Sequence, residues 1–199
     1  MLIVFSWSVL IFTSGVNIFI LLAFFFSAII FLTYLIIYVP KFNYIQGRIL
    51  SFFDRETGTH NFQSDKAIDS ITSGGFFGKG IGEGILKNRV PEAHTDYIIS
   101  VISEEFGVVA IMLILLLFLI FIYMVFKKIS FETDDKIKLI LIGSISLILM
   151  QATIHIGVNI RLFPTTGMTL PFLSYGGSSI ISTSILAGII LNLTKRKIN

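Results

Sequence analysis

Apolar and polar positions in this chain fall into long blocks rather than alternating. The first apolar block, Leu2–Thr13, is too short to cross a hydrocarbon core, which takes about 20 helical residues, so it reads as a span whose beginning is missing. Gly15 and Asn17 interrupt it, and Val16–Val39 then supplies a full-length apolar run closed by Pro40 and Lys41. Phe106–Phe126 carries no charge and ends at Lys127 and Lys128; Ile137–Ile160 follows a short polar hairpin; Ser178–Leu193 is the last run, with Lys195, Arg196 and Lys197 behind it. The pattern predicts an all-α polytopic membrane protein, one membrane domain over residues 1–199. About five transmembrane helices are expected, at 2–13 (partial), 16–39, 106–126, 137–160 and 178–194.

Between the second and third runs lies one long polar loop, residues 40–105. Loops of that length are usually functional. Within it Gln63–Ile71 is mildly amphipathic, fit to lie on a membrane surface, and GGFFGKGIGEG follows at Gly74–Gly84. Glycines with Lys79 among them would suit a phosphate cradle; a flexible, turn-rich loop explains the spacing equally well. No strand precedes the run and no Lys-Ser/Thr closes it, so it is neither a nucleotide P-loop nor a dinucleotide fingerprint. A second irregular stretch, Arg161–Ser179 (RLFPTTGMTLPFLSYGGSS), cannot be a plain helix, and backbone of this kind at membrane depth must be buried in protein or line a cavity.

Composition agrees with the pattern: 54% of residues are hydrophobic and 14% charged, against about 45–50% and about 25% in soluble domains. There is no cysteine, which excludes disulfides, thiol nucleophiles and Cys-ligated metals. The net charge of +3 comes from Lys and Arg beside the apolar runs, a signal of orientation rather than of nucleic-acid binding. Lys127, Lys128, Lys136 and Lys138 in the short hairpin, and the basic tail, are expected in the cytoplasm; the Arg161 stretch and loop 40–105 are then extracytoplasmic. Met1 falls outside by this count, which suits a fragment better than a complete protein.

Candidate chemistry concentrates where the polar loop meets the third run, PEAHTDYIISVISEEFG (91–107). Thr95 suits an N-cap, which would put Asp96 in the first helical turn, and Asp96, Ser100 and Glu104 recur at helical spacing on one face. Carboxylates there, with His94 beside them, suit acid–base work on a polar head group; the plainer reading is an acidic helix start at a membrane boundary. Gln151, His155 and Asn159 form a second polar stripe inside an apolar run, either a cavity wall or a set of interhelical hydrogen bonds.

Three stretches together resemble one family: QSDKAIDSITSGGFFGKGIGEG, PEAHTDYIISVISEEFG, and Gln151–Ser179 with LPFLSYGGSS. They are similar to the SEDS family (shape, elongation, division and sporulation) of peptidoglycan polymerases. Ala93 in PEAHTD resembles the division-type branch, FtsW, more than the elongation-type RodA. The resemblance covers nearly the whole chain but only the C-terminal half of a ten-span pattern, and IVFSWSVLIFTSGVN resembles the span just after the family's Pro-Asp motif. It implies an inverting glycosyltransferase, here a truncated copy, that polymerises lipid II into β-1,4 glycan with loss of undecaprenyl pyrophosphate. The bacterial cytoplasmic membrane is the implied location, with a class B penicillin-binding transpeptidase and other division proteins as partners. Asp96 matches the family's essential loop aspartate, as general base or as a charge acting directly or through a divalent cation; no cofactor is otherwise implied. A helix N-terminus would keep Asp96 ionised but weakly basic, whereas burial would strengthen it. Lys79 and Arg89 are the candidate pyrophosphate partners. Glu92, His94, Thr95, Glu104 and Glu105 match the motif as site-shaping residues, and Gln151, Asn159 and Ser174 are further candidate substrate contacts. A lipid-linked precursor transporter and a non-catalytic scaffold for a transpeptidase are the competing functions.

Overall fold

The computed structural model describes residues 2–43, 45–47, 61–85 and 92–195. Among these the chain is helical, without strands: α1 (Leu2–Thr13), α2 (Ile18–Tyr38), a 3-10 turn at Pro40–Phe42, α3 (Asn61–Gly74), α4 (Ile98–Phe131), α5 (Asp135–Asn159) and α6 (Gly177–Lys195). Local chemistry sets several ends. Asn17 caps α2 by accepting from the Phe19 amide at 3.0 Å, and Asp134 caps α5 by accepting from Lys136 at 2.9 Å. At the end of α2, Val39 is extended ahead of Pro40, as a pre-proline residue must be.

Among the described residues four helices, α2, α4, α5 and α6, are long and apolar enough to cross a membrane, and α1 falls short. Residues 98–105, counted above with the polar loop, are helical and form the first part of α4, ahead of a kink at Gly107.

The most buried helix is α5, and α1, α4 and α6 pack around it. Lipid is as apolar as isoleucine, so these contacts rest on close packing and hydrogen bonds rather than on escape from solvent. Small residues allow it on the α1 side: Ser146 donates to Ser6 at 3.4 Å, and Gly143 lies against Leu10. Near the 127–138 hairpin, Val125, Ile129, Leu141, Ile145, Ile148 and Ile190 form one core. At the other end Ala67, Ala93, Tyr97, Val101, Ile154 and Val158 form a second, joining α3, the 92–97 turn, α4 and α5. This second core carries the polar residues of interest.

Candidate active site

Helix α4 is broken once, at Gly107 (φ 77°, ψ −176°), a conformation open in practice only to glycine. A break there strips partners from the carbonyls of Glu104 and Glu105 and from the amides of Val108 and Val109. The Gly74–Gly84 run supplies all four. Lys79 N donates to Glu104 O (2.8 Å) and Gly80 N to Glu105 O (3.1 Å), while Val108 N and Val109 N donate to Gly75 O and Phe76 O (3.0 and 3.3 Å). Such close approach leaves no room for side chains. A Cβ at Gly107 would lie 2.2 Å from Phe76 O, one at Gly78 2.1 Å from Glu105 O, and one at Gly74 1.9 Å from Ser103 O. The glycine run is therefore a clip on α4, neither a loose turn nor a free phosphate cradle. Its Lys79, Gly80 and Gly82 amides are committed to Glu104 O, Glu105 O and Glu105 Oε1.

Helix α3 holds the same piece of α4 from the side. Ser70 donates to Glu104 Oε2 (3.0 Å) and Ser100 O (3.3 Å), Ser103 donates to Ile71 O (3.3 Å), and Ser64 meets the Tyr97 hydroxyl at 3.3 Å. Glu104 is fully buried and pairs with Lys79 Nζ at 3.3 Å. Asp65 on α3 pairs with Arg161, just past the end of α5.

Asp96 lies in the 92–97 turn ahead of α4. The expected N-cap is corrected here: α4 begins at Ile98, and the Thr95 hydroxyl turns back to Glu92 O and Oε2 (3.1 and 3.0 Å) instead of forward to a helical amide. Asp96 is thus not in the first helical turn. Its amide donates to Glu92 O at 3.0 Å, and its carbonyl accepts from Asn159 Nδ2 at 3.0 Å. A Cβ on Gly167 would come within 3.6 Å of Asp96 Oδ2, so the irregular 161–176 segment borders the carboxylate. That segment is tied back by Tyr175 N donating to His94 O at 3.0 Å, and a cleft lined by His94, Ile98, Leu173 and Tyr175 opens alongside. Burial raises the Asp96 carboxyl above the ordinary carboxylate value, and the Glu92 charge raises it further. Burial also raises the neighbouring Tyr97 phenol.

The sequence-predicted residues divide into three groups. Glu92, His94, Thr95, Asp96 and Asn159 come together at the turn. Lys79, Glu104 and Glu105 belong to the clip: Lys79 is spent on Glu104, and Glu105 holds the Gly82 amide. Gln151 and Ser174 shape the 169–179 turn. Gln151 Nε2 donates to Thr169 O (2.9 Å) and Ser179 Oγ (3.0 Å), and Ser174 Oγ accepts from Leu170 N (2.8 Å). Arg89 lies outside the described residues. The expected polar face divides too: Ser100 and Glu104 turn into the α3 contact while Asp96 stays half-buried at the turn. Sequence reasoning missed Gly167 and Tyr97. Gly167 sits in a stretch already marked as irregular; Tyr97 carried no signal beyond its place after Asp96. Among the described residues no group of three or more His, Asp or Glu side chains is arranged to hold a metal ion.

The family model described as cell cycle protein, FtsW/RodA/SpoVE, matches residues 1–199. A probable peptidoglycan glycosyltransferase FtsW of Enterococcus hirae is 33% identical over 182 residues, 86% of this chain and 46% of its own. The protein of the same description from Caulobacter vibrioides is 36% identical over 158 residues, 78% of this chain and 40% of its own. A solved structure concerned with coordination of polymerization and crosslinking by a peptidoglycan synthase complex superposes with TM-score 0.78 at 25% identity, covering all of this chain and 55% of its own. The chain thus spans about half the length of the curated relatives it matches. With the match running from the first residue to the last, and with its helices superposing on that fold, the chain belongs to the FtsW/RodA/SpoVE family of cell cycle proteins.

Proposed function

We propose that this chain supplies the acceptor-activating part of an inverting glycosyltransferase that polymerises lipid II during division. The supporting observation is Asp96: a half-buried carboxyl with raised proton affinity, held at its backbone by Asn159 and bordered by the irregular segment at Gly167. In the reaction, the acceptor sugar's 4-hydroxyl attacks the donor's anomeric carbon and Asp96 takes the hydroxyl proton. The bond from that carbon to the pyrophosphate oxygen breaks, undecaprenyl pyrophosphate leaves with the electron pair, and the configuration inverts. Raised basicity suits Asp96 to this step better than the depressed value a helix N-terminus would give. The chain sits in the bacterial cytoplasmic membrane as a multi-pass protein, with the 92–97 turn on the outer side where the head group lies, and works with a class B transpeptidase.

The transporter reading loses support from the polar stripe it relied on. Gln151 is engaged with Thr169 and Ser179, and Asn159 with Asp96, so the stripe packs against the chain itself. The deciding experiment is polymerisation of lipid II by the purified protein and by Asp96→Asn. Glycan from the first and none from the second is expected, and normal strands from Asp96→Asn would refute the assignment. A chain that binds the transpeptidase but polymerises nothing would leave the scaffold reading in its place.

A further inference from the structure

The glycine clip presents its outer side almost bare. Phe76, Phe77, Ile81 and Ile85 are 76%, 85%, 78% and 66% exposed, in a segment first read as part of a polar loop. Large side chains so exposed on one short loop need a cover. Further observations say which. The clip is pinned by four backbone hydrogen bonds to Glu104–Val109, so its depth is fixed to the point where α4 loses its charges. Gly107 stands about 32 Å along α4 from Lys128, and Asn159 about 35 Å along α5 from Lys136, each just beyond the roughly 30 Å of a hydrocarbon core measured from the basic hairpin. Below the clip the exposed surface continues without a polar break through Val109, Met112, Leu113 and Leu116. Lys79, the one charge between Gly74 and Gly82, is paired with buried Glu104, which lowers the cost of placing the loop against lipid.

We infer that the clip is a membrane-inserted wedge: Phe76, Phe77 and Ile81 enter the acyl boundary of the bilayer on the side opposite the basic hairpin. Through the pinned backbone they set the depth of the α4 segment that follows Asp96. The occupant is bilayer lipid, because the apolar surface is continuous with that of a membrane-spanning helix. This reading stands whether or not the chain polymerises glycan.

The absence of cysteine makes the test direct. Single variants Phe77→Cys and Ile81→Cys, both at exposed positions, are spin-labelled in full-length protein in phosphatidylethanolamine/phosphatidylglycerol vesicles. Leu116→Cys serves as the lipid reference and Asp69→Cys, exposed on α3, as the water reference. Collision with oxygen, concentrated in lipid, is compared with collision with a water-soluble nickel chelate. Both clip labels are expected to follow Leu116→Cys, with oxygen favoured several-fold. Labels that follow Asp69→Cys, or that neither reagent reaches because protein covers them, overturn the inference.

Discussion

Asn159, at the last turn of α5, donates its side-chain amide to the main-chain carbonyl of Asp96, 3.0 Å away. The same nitrogen also reaches His155 O at 2.9 Å, so one fully buried side chain links the end of α5 to the turn that carries the candidate base. The carboxylate itself is left free of this contact. Asn159 therefore fixes where Asp96 sits without fixing its charge.

Asn159→Ala removes that tie. The loss is expected to be about 1 kcal/mol, the net worth of one hydrogen bond, rising toward about 3 kcal/mol where the Asp96 carbonyl stays buried without a donor. The melting temperature in detergent measures this. Polymerisation should fall further than stability does, with kcat reduced and KM for lipid II little changed, because the binding surface remains and the base is misplaced. An unchanged kcat would separate Asn159 from the reaction.

The raised Asp96 carboxyl has two consequences of definite sign. The native protein holds this proton more tightly than the unfolded chain does, so native stability from this group declines as pH rises from the ordinary 3.8 through the raised value. Asp96→Asn is expected to melt higher than the parent at neutral pH, and the difference should vanish below the ordinary value, where both states are protonated. Activity runs the other way, since a base must be ionised. It should fall as pH drops through the raised value. Glu92→Gln, which removes the neighbouring charge, should move that acid limb to lower pH. A pH profile of single-turnover glycan synthesis reads both.

The run of Gly74–Gly84 and the break at Gly107 make one structure, and neither could be read as such from sequence. Apolar run lengths were enough to locate α2, α4, α5 and α6, because membrane thickness sets helix length directly. Nothing local marks Gly107, which follows EEF as an unremarkable glycine in an apolar helix. Its partners are about thirty residues upstream, joined to it by tertiary hydrogen bonds alone. The same limit applied to Asp96. The residue stood out within its motif, but its surroundings come from Asn159 and Gly167, which the chain brings in from the far ends of two other segments.

Gly107→Ala tests the clip. The left-handed backbone alone costs about 1–3 kcal/mol for a side-chain-bearing residue, and the new Cβ would meet Phe76 O at 2.2 Å and Gly78 N at 2.5 Å, both main-chain atoms without freedom to move. The variant is expected to lose the four exchanged hydrogen bonds and expose the 74–84 segment to protease. Gly188→Ala is the matched control. It lies inside α6, where an added Cβ would meet nothing within 4 Å outside its own helix backbone, and alanine there should be neutral or stabilise by about 0.5–1 kcal/mol.

Lys79 was a candidate for holding pyrophosphate, and its pairing with Glu104 makes a different prediction. The Lys79 side chain is 37% exposed and the Glu104 side chain wholly buried. Removing the cation leaves a buried acid with fewer partners, which costs about 1–3 kcal/mol once solvent screening of the exposed half is allowed for. Lys79→Met is therefore expected to lower the melting temperature while leaving KM for lipid II unchanged. A pyrophosphate ligand would show the reverse, a raised KM at unchanged stability. The double variant Lys79→Met/Glu104→Gln distinguishes the two further. Glutamine can still accept from Ser70 but carries no charge that needs Lys79, so the pair should recover part of the lost stability, a coupling readable by a double-mutant cycle. Additive losses would mean that Lys79 acts somewhere other than on Glu104.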